Sequence, residues 1–191
     1  MIVLTGPSAS GKTATCLCLQ AKYGIKKVIT HTTRAMRTGE KNDVDYHFVS
    51  EEEFSKMKEN DEFVETVFYN GHHYGTSKKE VGIDKCMAVE LGGARTYKSF
   101  NDPKIVLFFL NLDEDTCRER MLSRGDDPVK VANRIENDKE SFHLTDDLIK
   151  LIDVNVDTKK YNLESVSEYI YKKYIEVLKS RGVDFDAEMK K

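Results

Sequence analysis

Five short apolar runs punctuate the chain: MIVLT (residues 1–5), KKVIT (26–30), KCMAVE (85–90), KIVLFFLNL (104–112) and LIKLIDVNV (148–156). They are rich in β-branched residues and lack polar alternation, as expected of strands covered on both faces in a parallel sheet. Segments with helical spacing lie between them. KTATCLCLQAKYG (12–24) closes on Gly24, which can take the left-handed conformation of a helix C-terminus. DEDTCRERMLSRG (113–125) offers Asp113 as N-cap and Gly125 at its end, and DPVKVANRIENDKESF (127–142) places Pro128 in a first turn. NLESVSEYIYKKYIEVLKS (162–180) sets Leu163, Val166, Ile170, Tyr174 and Val177 on one face. Strands alternating with helices predict a three-layer α/β domain around a central parallel sheet.

Residues 30–84 break the alternation. DYHFV (45–49), EFVETVFY (62–69) and HHYGT (72–76) are short, turn-flanked β-like pieces around one helix, SEEEFSKMKEN (50–60). The leading acids Glu51, Glu52 and Glu53 suit the positive end of that helix. These pieces predict a small, partly antiparallel insertion on the main sheet. His72 and His73 are adjacent in a strand, so they point to opposite faces and read as structural. Residues 181–191 show weak periodicity and are expected to be loosely held. With no repeat and only three prolines, no linker divides the 191 residues, which read as one domain.

Charge narrows the partners. The chain has 30 Lys and Arg against 33 Asp and Glu, a net charge of −3, which argues against a broad basic footprint for nucleic acid. It leaves room for a local cluster of cations around a small polyanion. Cys16, Cys18, Cys86 and Cys117 have no metal-ligand spacing and read as reduced thiols of a cytoplasmic protein. The first apolar run is too short for a signal peptide, and no run is long enough to cross a bilayer, so no membrane partner is expected.

Directly after the first run comes GPSASGKT (6–13), a full match to G-x-x-x-x-G-K-[ST]. Gly6 and Gly11 let the backbone curl so that successive N–H groups face phosphate oxygens. The helix starting at Lys12 aims its positive dipole end at the same anion. Lys12 suits the β- and γ-phosphates, and the Thr13 hydroxyl can ligate Mg²⁺. Gly6, Pro7, Ser8, Ala9, Ser10, Gly11, Lys12 and Thr13, with Ala14 next in line, are the candidate ATP-binding residues. No N-K-x-D base motif accompanies the loop, which weakens a GTPase reading.

A second group of residues indicates what accepts the phosphate. TTRAMRTGEKNDVDYHFVS (32–50), EFVETVFYNGHHYGTS (62–77), VELGGA (89–94) and RERMLSRGDDPVKVANRI (118–135), in that order, resemble the guanylate kinase family. With the phosphate loop, the resemblance covers roughly residues 1–140. It implies a P-loop kinase fold with a core (1–29, 85–118, 141–191), an acceptor-binding region (30–84) and a helical lid (119–140). The implied reaction is transfer of the ATP γ-phosphate to GMP or dGMP, with Mg²⁺ as cofactor. Arg34, Arg37, Tyr46 and Tyr74 match the clamp on the acceptor phosphate, and Glu65, Thr76 and Thr30 fall where the family reads guanine. Arg120, Arg124 and Arg134 fall in the lid; with Lys12 and Arg34 they are the candidate catalytic residues.

Physical chemistry independently suits these roles. Arginine pairs with phosphate through two parallel hydrogen bonds, and a tyrosine hydroxyl donates without adding charge. A carboxylate matches the adjacent N1–H and N2–H₂ donors of guanine, whereas adenine would leave it facing a lone pair. Two departures stand out. Glu90, at the end of KCMAVE, replaces the family's usual Asp, and the stretch from Thr76 to Glu90 is shorter than usual. Both bear on acceptor choice, so another small phosphate is the first rival substrate. A non-catalytic protein-binding module is the second, although it would have no chemical need for Lys12 and Thr13.

Overall fold

The computed structural model of the protein describes residues 1–69, 71–142 and 145–190. In chain order its elements are β1 (Ile2–Thr5), α1 (Lys12–Tyr23), β2 (Lys26–Lys27), β3 (His31–Thr32), β4 (His47–Phe48), α2 (Glu51–Glu59), β5 (Phe63–Tyr69) and β6 (His72–Ser77). A 3₁₀ turn (Lys78–Glu80) follows, then β7 (Lys85–Ala88), α3 (Leu91–Ser99), β8 (Val106–Asn111), α4 (Glu114–Ser123) and α5 (Pro128–Ser141). The chain continues through α6 (Asp146–Leu151), β9 (Val154–Asp157), α7 (Leu163–Ser180) and α8 (Phe185–Glu188).

The main sheet is parallel, in the order β2-β7-β1-β8-β9, with β1 at its centre. Strand alternation splits each apolar run between two layers. Ile2, Leu4, Val106, Phe108 and Leu110 pack with Cys16 and Leu19 of α1 and Val166, Ile170, Tyr174 and Leu178 of α7. Met1, Val3, Ile105 and Leu107 pack on the opposite side with Ala94 and Tyr97 of α3. Burial on both faces is the reason these strands carry no polar alternation.

The insertion forms its own mixed sheet, in the order β4-β3-β6-β5, rather than an extension of the main one. β3 pairs parallel with β4 and antiparallel with β6, and β5–β6 is a hairpin whose turn includes Gly71 at φ 82°. α2 begins with a complete capping box between Ser50 and Glu53, and buries Phe54 against Phe63 at 4.5 Å. Gly75 permits this packing: a Cβ there would lie 2.9 Å from Phe63 and 3.1 Å from Phe54.

Several expectations are corrected. KKVIT supplies only the two-residue β2, and β7 stops at Ala88, leaving Glu90 as the N-cap residue of α3 rather than a strand end. LIKLIDVNV divides into α6 and β9. Thr145 caps α6 by accepting from the Leu148 N–H, and Asp146 and Asp147 occupy its first turn, so local capping overrides the apolar run. On α7, Leu178 is buried and Val177 packs half-buried against the same core, while Leu163 is exposed. The C-terminal segment is docked. The Arg181 guanidinium donates to Ile105 O at 2.8 Å and to Asp153 at 2.5 Å, and Phe185 meets Tyr171 and Tyr174 edge-on. Lys191 lies outside the described residues.

Candidate active site

The phosphate loop springs from the end of β1. Gly6 sits at φ 141°, and a Cβ there would fall 2.5 Å from the Leu110 carbonyl oxygen, so the loop can pass β8 only with glycine at this position. Gly11, at φ 97°, is the N-cap residue of α1 and makes no side-chain cap, which leaves the first helical N–H groups to an outside acceptor. Lys12 curls back, donating from Nζ to Gly6 O at 2.6 Å and Pro7 O at 2.9 Å. Burial lowers its pKa, opposed by the carboxylates of Glu90 and Asp138. Thr13 and Ala14 are exposed on the first turn of α1, while Ser10 is buried with a hydroxyl that meets no partner.

Helices α4 and α5 form a hairpin that leans on the loop. Asp113 caps α4 by accepting from the Thr116 N–H, and Asp127 caps α5 by accepting from the Lys130 N–H. Cys117, Met121, Val131 and Ile135 make a small apolar cluster with Leu112, and Ala9 at the loop tip packs against it. Arg120 Nη1 donates to Ala9 O at 3.1 Å, and the Ser8 N–H donates to Asp138 Oδ2 at 2.6 Å. Arg124 and Arg134 do not reach the loop. Both bind Asp126, at 2.6 and 3.2 Å, which holds its carboxyl below the usual range through the Arg124 hydrogen bond above all.

On the side of the insertion, Arg34 follows β3. Its Nη2 donates to Glu40 at 2.6 Å and its Nη1 to the Ala35 carbonyl at 2.7 Å. Its guanidinium lies 5.4 Å from the Tyr46 ring centre and 5.6 Å from that of Phe48, and the rings of Tyr46 and Tyr74 meet edge-on at 6.1 Å. Hydrogen bonding to Glu40 above all, with help from Tyr74, raises the Arg34 pKa further. Arg37 is exposed, and its backbone N–H donates to Glu40 Oε2 at 2.7 Å, so one carboxylate binds the Arg34 side chain and the Arg37 backbone. Further along the second sheet, Thr76 Oγ1 donates to Glu65 Oε1 at 3.1 Å across the β5–β6 ladder.

A cavity of about 390 Å³ joins the two sides. Thr13 and Cys16 of α1, Thr30, Asp45 and Tyr46 of the insertion, and Met87 and Ala88 of β7 line it. The structure thus gathers Lys12, Glu90 and Arg120 about the loop, Arg34, Tyr46 and Tyr74 in one cluster, and Glu65 with Thr76 in another. Arg124 and Arg134 stay with Asp126. Sequence reasoning did not single out Glu40, Asp126, Asp138 or Phe48. A carboxylate six residues after Arg34 within a TGEK turn was the one local signal; Asp138 lies 130 residues from the backbone group it binds.

Residues 1–149 match the family described as guanylate kinase. A curated guanylate kinase of Chromohalobacter salexigens is 32% identical over 145 residues, covering 72% of this chain and 67% of that one. One of Saccharophagus degradans is 31% identical over 175 residues, covering 87% and 85%. The crystal structure of guanylate kinase from Anaplasma phagocytophilum shares the fold, with a TM-score of 0.59 at 22% identity over 95% of this chain and 85% of that one.

Proposed function

The chain belongs to the guanylate kinase family, and from that premise we propose that it transfers the γ-phosphoryl group of ATP to GMP or dGMP. The observation that supports this most is the shared cavity, lined by Thr13 of the phosphate loop and by Thr30 and Tyr46, which lead into β3 and β4 of the second sheet. A donor bound on the loop and an acceptor bound on the sheet would there bring their phosphates together.

An acceptor phosphate oxygen attacks the γ-phosphorus, the bond from that phosphorus to the β-bridging oxygen breaks, and ADP leaves with the electron pair. The attacking oxygen is already ionised, so no general base is required; positioning and charge stabilisation supply the catalysis. Arg34 exchanges its Glu40 contact for the acceptor phosphate, with Tyr46, Tyr74 and Arg37 completing the clamp. Glu65 accepts from N1–H and N2–H₂ of guanine, and adenine would leave that carboxylate unpaired. Lys12 leaves the loop carbonyls for the β- and γ-phosphates. The α4–α5 hairpin acts as the lid, carrying Arg120, Arg124 and Arg134 over the transferring group and excluding water.

Among the described residues no group of three or more His, Cys, Asp or Glu is arranged to hold a metal ion. The exposed Thr13 hydroxyl fits Mg²⁺, which takes few protein ligands and relies on substrate phosphates and water. When bound, Mg²⁺ would neutralise charge on the β- and γ-phosphate oxygens. No helix among the described residues is long and apolar enough to cross a membrane, and the cysteines are free, which together support a cytoplasmic enzyme.

Steady-state rates with ATP and GMP, dGMP, AMP, CMP or UMP test the reading. Guanine nucleotides are expected to give the highest kcat/KM, and a preference for any other base rejects it.

A further inference from the structure

Tyr97 lies on α3 within the apolar layer of Val3, Ala94 and Leu107, with none of its surface exposed. Its hydroxyl meets no hydrogen-bond partner. A buried hydroxyl without a partner costs stability, and phenylalanine would fill the same space without that cost. The groups near it are polar. Burial above all pushes its pKa up to about 12; the nearby Thr76 hydroxyl eases its ionisation and the Glu65 carboxylate opposes it. Thr76 is itself fully buried, and its only hydroxyl hydrogen is committed to Glu65 at 3.1 Å. Polar groups from β5, β6 and α3 therefore converge, yet one hydrogen bond joins them where the chemistry allows more.

We propose that Tyr97 is a positioning residue for the acceptor base, donating its hydroxyl hydrogen to Thr76 and thereby turning the Thr76 hydrogen outward toward the base. The inference rests on the reading of Glu65 and Thr76 given above. In the empty site Thr76 donates to Glu65. Guanine brings its N1–H and N2–H₂ donors to that carboxylate, which releases the Thr76 hydrogen. The Thr76 oxygen then accepts from Tyr97, and its own hydrogen meets the carbonyl oxygen at C6 of guanine. Each donor in such a chain polarises the next. Adenine carries an amino group at C6, so an outward-facing hydrogen would confront another donor. Without Tyr97 to hold it, the Thr76 hydroxyl can rotate and accept from that amino group. Glu65 would reject adenine at one position of the base edge, and Tyr97, through Thr76, at the next.

The base is remote from the transferring phosphoryl group, so the contact acts equally on ground and transition states and belongs in KM. Tyr97→Phe removes the hydroxyl and leaves the ring. The variant is expected to melt at the same temperature as wild type or higher, with KM for GMP raised roughly tenfold, kcat within about twofold and KM for ATP unchanged. The preference in kcat/KM for GMP over AMP should fall roughly tenfold. In a Thr76→Val background, which removes the acceptor of the Tyr97 hydrogen, adding Tyr97→Phe should leave that preference where Thr76→Val alone set it.

An unchanged GMP/AMP preference in Tyr97→Phe overturns the proposal, as does additivity in the double variant. A lower melting temperature with kcat and both KM values impaired together also overturns it, since that is the pattern of a packing role. A wild-type enzyme indifferent to the base sinks the Glu65–Thr76 reading and this one with it. A guanine-specific wild type with an indifferent Tyr97→Phe sinks this one alone.

Discussion

The phosphate loop and the insertion that carries the second sheet border one cavity, but the loop is organised mainly by its backbone and the insertion mainly by its side chains. The loop is eight consecutive residues between a strand with every residue buried and a helix that starts without a side-chain cap. Its shape is set by left-handed or close-packed positions at Gly6, Ala9 and Gly11 and by the Leu110 carbonyl behind it. The second sheet, with the α2 helix on it, buries few side chains, chiefly Thr32, Phe54, Phe63, Thr76 and Ser77. Its polar groups come from separate strands and turns and are oriented by one another, as Arg34 is by Glu40 and Glu65 by Thr76. A backbone anion site tolerates few sequences, because the conformation is the binding site. A side-chain site can be retuned one residue at a time.

Substitutions of decreasing effect probe this division. Lys12→Ala should lower kcat by about 10³, the scale of removing one preorganised charge, while thermal melting shows the fold intact; unaltered turnover refutes its role. Arg34→Ala should raise KM for GMP by roughly 10² with KM for ATP little changed, because a charge-assisted pair with phosphate is lost. If KM for ATP moves instead, the two sides of the cleft are not separate. Glu65→Gln should lower discrimination against AMP by about 1–3 kcal/mol, read from the kcat/KM ratios, and an unchanged guanine preference removes Glu65 as reader.

Smaller effects sharpen the contrast. Asp138→Asn keeps the shape of the contact with the Ser8 N–H but removes a negative charge from the loop, so KM for ATP should fall a few-fold. A rise in KM would show that the carboxylate serves ATP binding rather than opposing it. His31 supplies a pH test of the second sheet. Burial above all, and then the neighbouring His47, lower its pKa, against the opposing pull of Glu80 and Glu62. The folded protein therefore binds fewer protons than the unfolded chain as pH falls through the ordinary histidine value of about 6.5, and stability present above that value is lost below it. His31→Gln should flatten that part of the stability–pH curve in thermal melts, and an identical slope would dismiss His31 as its source.

What could be read in advance was whatever is local along the chain. The phosphate loop is contiguous, and the caps of α1 and α4 and the first-turn Pro128 of α5 are local features, so pattern alone located them. Apolar runs short enough to be strand or helix were harder, and in LIKLIDVNV the capping hydroxyl of Thr145 decided between them. The docking of the C-terminal segment was invisible because Arg181 and Phe185 bind elements distant in sequence.

By itself, the sequence of this protein determined a parallel α/β core, the glycine-rich loop between β1 and α1 and the residue types on which the proposed acceptor clamp rests, because those depend on local periodicity and backbone conformation. Only the tertiary structure decided that Glu40 orients Arg34, that Asp138 touches Ser8, that Asp126 holds Arg124 and Arg134, and that Tyr97 is buried beside Glu65 and Thr76. The physical reason is range. Hydrogen bonds act over about 3 Å, and most of these partners come within that distance only after the core has packed.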